Sequence, residues 1–282
     1  MKRYAPLIVL SCTIVLASSA VAQYLTSAKL YLRQREYAQA EASALKAVAK
    51  DSTDEEAWYV LGQIRYELRK YPEMIQAFEK AAAIDPKEHA TEIHSYRMKV
   101  WADSYNAGIK YYNKGRDTAS YFAVAVDSFK TAILAQPDSA LTYYVCALAL
   151  YANGQRDEAI ATLYKGLEKK AAFPDALSLL GRLHMQSARA KLDQQDTTGA
   201  QQEYARAAAA FEKLYDLDRT DVANVMSLLE VYEKAKMDDK ALSLTKNCAD
   251  ADPKNRLCRY AYGLYLIKKE QYEQGIKELE TM

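Results

Sequence analysis

Few residues in this 282-residue chain are equipped for chemistry. The histidines are His89, His94 and His184. In "HATEIH", His89 and Glu92 stand at i and i+3 and share a helix face, a spacing that can touch a metal ion; His94, five residues from His89, points elsewhere. One such pair on an exposed helix is ordinarily a solvated face, so no metal site is expected. The carboxylate pairs Glu55/Glu56 and Asp238/Asp239 sit at helix starts, where they favour the positive end of the helix dipole. No Ser/His/Asp order, phosphate-binding glycine loop or Gly-x-Gly-x-x-Gly occurs. We therefore expect no enzymatic activity and no cofactor.

The elements carrying these residues are helical. Glycine (9) and proline (6) are scarce, and Ala, Leu, Lys, Glu and Gln are abundant. The length suits two ordinary domains or one extended array. Tyrosine is over-represented, with 23 residues against 5 Phe and 2 Trp. Without Lys2 and Arg3 the chain carries 36 basic and 37 acidic residues, a balance that favours neither nucleic acid nor an anionic membrane.

Lys2 and Arg3 open a segment laid out as a secretory signal peptide. An apolar run from Leu7 to Leu16 follows them, then the small-x-small site Ala20-Val21-Ala22 before Gln23. We read 1–22 as the leader and the mature chain as exported, most simply to a bacterial periplasm. Two alternatives stay open: an uncleaved anchor, for which the apolar core is short, and a lipoprotein acylated at Cys12, against which the apolar "TIVLA" follows the cysteine. Membrane contact is expected only through this segment.

Export places Cys146, Cys248 and Cys258 in an oxidising compartment. Cys248 and Cys258 flank the turn "ADADPKNRL" and either form a disulfide between adjacent helices or remain two buried thiols. Cys146, inside an apolar run, reads as a core residue.

The best-specified stretch is "AWYVLGQIRYELRKYPEMIQAFEKAAAIDP", residues 57–86. Trp58, Leu61, Gly62 and Tyr66 lie on one helix. Pro72 starts a second at its first turn, where a missing N–H costs nothing. Phe78 and Ala81 follow, and Pro86 closes the unit. This resembles the tetratricopeptide repeat, a helix–turn–helix unit with a period of 34 residues; Tyr24 lies 34 before Trp58, and Pro253 lies 34 after Arg219. The units fall near 23–54, 55–88, 89–139, 140–173, 174–221, 222–255 and 256–282, the last incomplete. Two are enlarged, by insertions before Trp101, between Gly115 and Ala125, and between Gly181 and Phe211, read as helices prolonged by one to three turns. In the last insertion either Gly181 or Ser187 takes the close-packing position. The resemblance implies an all-α, right-handed solenoid of stacked antiparallel helix pairs. No polar capping helix follows Met282, so a partner, another copy or further sequence is expected to cover that end.

The resemblance also implies that each unit's first helix lines a concave face. Residues three before and four after each unit's small residue share one helical face. Gly62 selects Tyr59 and Tyr66, Gly108 selects Tyr105 and Tyr112, Ala147 selects Tyr144 and Tyr151, and Gly263 selects Tyr260. Tyrosine combines a flat apolar body with a hydroxyl and loses little rotamer entropy when fixed, which suits a groove; it also fills the interior of this repeat, as Tyr31, Tyr71 and Tyr111 are expected to. The Lys/Asn clamp by which some family members hold a terminal carboxylate is absent, Tyr59, Gln63, Tyr105, Ile109, Tyr144 and Leu148 standing there. The expected function is an exported scaffold that binds a protein or peptide. The alternatives are a self-associating component of a cell-envelope assembly, a homo-oligomer, or the repeat arm of a longer enzyme.

Overall fold

The computed structural model describes residues 21–219 and 221–281. The leader and Cys12 lie outside them, save Val21 and Ala22. Among the described residues there are fourteen helices and no strand. They form seven consecutive antiparallel pairs: α1 (21–33) with α2 (Tyr37–Lys50), α3 (Glu55–Glu67) with α4 (Tyr71–Ile84), α5 (Ala90–Gly115) with α6 (Ser120–Ala135), α7 (Ala140–Ala152) with α8 (Arg156–Lys169), α9 (Pro174–Asp193) with α10 (Thr197–Leu217), α11 (Val222–Lys234) with α12 (Asp238–Ala251), and α13 (Arg256–Lys268) with α14 (Tyr272–Glu280). Two pairs are enlarged: α5 runs for 26 residues and α9 and α10 for 20 and 21. None of the described helices is long and apolar enough to cross a membrane.

Local chemistry sets the helix starts. Asp54, Ser139, Asp196, Asp221 and Asn255 each accept a hydrogen bond from a first-turn N–H of the helix that follows. Pro72 and Pro174 occupy first-turn positions of α4 and α9. The turn inside six of the seven pairs is closed by one left-handed residue: Arg35, Arg69, Gly154, Gln195, Lys236 or Glu270. Each is followed by an N–H that reaches back five residues, as from Met237 to Tyr232 O (2.8 Å) and Gln271 to Leu266 O (2.9 Å). This is the Schellman closure, met here almost without glycine.

The chain divides into two units. In the first, α1–α6, the core holds Leu61, Ile64, Met74, Phe78 and Val100, all buried. In the second, α7–α14, it holds Leu177, Phe211, Leu228, Leu244 and Cys258. Within each, the second helix of a pair packs on the first of the next: α2 on α3 and α4 on α5; α8 on α9, α10 on α11 and α12 on α13. A side chain cannot fit where the paired helices touch most closely. A Cβ at Gly62, Gly108 or Gly181 would come under 3.0 Å from the ring of Phe78, Phe129 or Phe211. Gly181, not Ser187, is therefore the close-packing position of the fifth pair.

Candidate partner-binding surface and a buried polar relay

The seven tyrosines assigned to a groove take three kinds of place. Tyr59 is in the core of the first unit, only 7% exposed. His89, left-handed at the start of α5, lays its ring on the Tyr59 ring (centroids 3.7 Å apart) and holds its Nδ1 3.1–3.2 Å from the two Glu55 carboxylate oxygens. The Tyr59 hydroxyl accepts from Gln63 Nε2 at 3.0 Å. Burial pushes this phenol up to about 12 and raises the Glu55 carboxyl, which the bond to His89 opposes. Tyr59 is thus a packing residue, while Glu92 and His94 are exposed.

Tyr66, Tyr105, Tyr112 and Tyr144 are half-buried, each against another ring: Tyr66 edge-on to Tyr96 (4.9 Å), Tyr105 near Trp101 (5.5 Å), Tyr112 near Phe122 (5.5 Å) and Tyr144 near Phe173 (5.3 Å). Tyr151 and Tyr260 are exposed, and Tyr151 accepts from Gln186 Nε2 at 2.9 Å.

Tyr260 belongs to an apolar opening. Leu257, Tyr260 and Leu264 form one stripe along α13, 49%, 48% and 42% exposed. With Met226 and Leu229 of α11 they line a groove of about 280 Å³. Behind the stripe, Cys258 is disulfide-bonded to Cys248 of α12, Cα atoms 5.5 Å apart. Cys146 is buried.

The sequence reading gave His184 no role. Its ring is 2% exposed, with Nδ1 2.6 Å from Glu203 Oε2 and Nε2 3.0 Å from the Tyr164 hydroxyl. Arg206 donates to the other Glu203 oxygen. Three helices therefore contribute to one chain of contacts, Tyr164 from α8, His184 from α9, and Glu203 and Arg206 from α10. Burial raises the Tyr164 phenol. A signal was present: His184 sits in "LLGRLHM" and Glu203 on an alanine-rich helix, both on faces that the period turns inward.

The tetratricopeptide repeat model matches residues 25–89, a tetratricopeptide repeat-sensor model matches 121–229, and a model of anaphase-promoting complex subunit 3 matches 200–282. No curated protein matches. Among solved structures, pilF of Pseudomonas aeruginosa is 14% identical, covering 89% of this chain and 99% of its own, with a TM-score of 0.38. MamA of Desulfovibrio magneticus is 18% identical, covering 72% and 97%, with a TM-score of 0.33. The TPR2AB domain of yeast Sti1, solved as a complex with pHSP90, is 19% identical, covering 77% and 85%, with a TM-score of 0.34. The two tetratricopeptide models together span more than half of the chain, and the chain belongs to the tetratricopeptide repeat family.

Proposed function

We propose that this chain is an exported, non-catalytic adaptor that captures an apolar peptide segment of a partner protein on its first helices. The observation that carries the reading is the stripe Leu257, Tyr260 and Leu264, with the groove it shares with Met226 and Leu229. Water-exposed apolar surface organised into a groove is costly to keep, and a peptide presenting apolar residues at helical or alternate spacing would cover it. Export rests on the leader-like residues 1–22. The adaptor role agrees with family membership and with the absence of catalytic motifs from the sequence.

Selection of peptides from a random library on the purified chain tests this. Apolar peptides should be recovered on the wild type and lost on Tyr260→Ala/Leu264→Ala, with the helical melting curve little changed. Peptides that bind both proteins equally would remove the groove from the reading.

A second reading is self-association. Tyr272 and Ile276, one turn apart on α14, are 56% and 50% exposed. Light scattering across concentration separates the two, since a monomer at every concentration excludes self-association.

A further inference from the structure

We propose that the second unit carries a small-molecule site between α8 and α10 that takes a free apolar amino acid. A cavity of about 290 Å³ opens there, at the small end of ligand pockets. Its floor is apolar, with Leu177, Leu180 and Ala210 almost fully buried.

The two walls differ in hydrogen-bonding sense. On α8 stand Tyr164 and Glu168, one turn apart; on α10 stand Arg206 and Lys213, two turns apart on one face. The carboxylate of Glu168 only accepts. The acceptor of the α8 wall is therefore Glu168, while the Tyr164 hydroxyl is engaged from behind by His184 Nε2 at 3.0 Å.

The α10 wall donates them. Arg206 is held to Glu203 by one terminal N–H of its five, and Lys213 adds an ammonium. An acceptor wall facing a donor wall across an apolar floor matches a zwitterion with an apolar side chain. Its ammonium meets Glu168, its carboxylate meets Arg206 and Lys213, and its side chain covers Leu177, Leu180 and Ala210. Leucine and phenylalanine have this chemistry.

Titration calorimetry on the whole chain with L-leucine and L-phenylalanine tests the site. Both should bind saturably and glycine should not. N-acetyl-leucine and leucinamide, each lacking one charge, should bind at least about tenfold more weakly. Ala209→Trp, at an exposed lining position, should fill the cavity and abolish binding without lowering thermal stability. Glu168→Gln should weaken leucine more than N-acetyl-leucine. The proposal is overturned by no saturable heat up to on the order of 10 mM ligand, by binding that survives Ala209→Trp, or by leucinamide binding as well as leucine.

Discussion

His184 Nδ1 lies 2.6 Å from Glu203 Oε2, with both side chains at least nine-tenths buried. Charges and polar rings are costly to desolvate, and each group here has the other and one further partner, Tyr164 on His184 and Arg206 on Glu203. His184→Ala should lose about 2–4 kcal/mol by urea denaturation, because it opens a cavity and removes one of the two partners of a buried carboxylate, Arg206 remaining on the other oxygen. Glu203→Gln, which keeps shape and hydrogen-bonding capacity, should lose less. The double change His184→Leu/Glu203→Leu should recover part of the loss of either apolar single variant, since it leaves no buried group unpaired and the exposed Tyr164 and Arg206 can turn to water. If the single and double effects merely add, the two residues are not coupled.

Alkaline pH should destabilise the chain through its buried phenols. Burial raises Tyr59 to about 12, and it raises Tyr232 and Tyr265 further, each of which also donates to a glutamate, Glu212 (2.8 Å) and Glu233 (3.0 Å). A phenol whose pKa is higher folded than unfolded keeps its full contribution below about pH 10 and loses it as pH rises towards the folded value. Stability should therefore be flat below about pH 10 and fall above it, with Tyr59 accounting for about 1–2 kcal/mol by pH 12 after allowance for solvent screening. Tyr59→Phe should flatten that part of the profile. An identical slope in the variant would show that Tyr59 does not titrate with unfolding.

The disulfide between Cys248 and Cys258 closes a short loop, the two residues being ten apart. Loop-closure entropy at that length is worth roughly 2–3 kcal/mol. Reduction, or Cys248→Ala/Cys258→Ala, should lower stability by that amount and loosen α13 and α14 first, as read by hydrogen exchange. Exchange that rises instead across the whole second unit would mean that the bond does not act locally.

The left-handed turn residues offer the opposite sign. Lys236 and Glu270 sit at φ 56° and 61°, where a Cβ is strained and glycine is not. Lys236→Gly and Glu270→Gly should each raise stability by about 0.5–1 kcal/mol, the relief outweighing the entropy that glycine adds to the unfolded chain. Among the described residues, neither Lys236 nor Glu270 forms an ion pair that the change would break. A loss of stability in both variants would indicate that the side chains pack where they stand.

The helix pairs were legible because Gly62, Phe78, Ala81 and Pro86 declare their roles through size and backbone alone. The turns were less so, since Arg, Lys, Gln and Glu in left-handed turns carry no local mark. The site was harder still. The exposure of Tyr260 follows from its place on α13, but the burial of Tyr59 depends on the ring of His89, thirty residues away, folding back over it. The relay of Tyr164, His184 and Glu203 required the register of three helices, two of them in an enlarged pair where the period had been interrupted.

The contact between Gly62 and Phe78 tests the repeat at its narrowest point. The ring leaves no room for a Cβ, and both residues lie in the core of the first unit. Gly62→Ala should cost about 1–3 kcal/mol through overpacking, more than the helix propensity gained by alanine returns. Phe78→Leu alone should open a cavity and also destabilise. Combined, the smaller Leu makes space for the new methyl, so Gly62→Ala/Phe78→Leu should be more stable than the sum of its parts predicts. Ala147 and Leu163 stand at the matching positions of the fourth helix pair, with the same sixteen-residue spacing and both side chains fully buried. Thermal melting of the four proteins in a double-mutant cycle measures the coupling, and a value near zero would place the source of close packing elsewhere than in this pair.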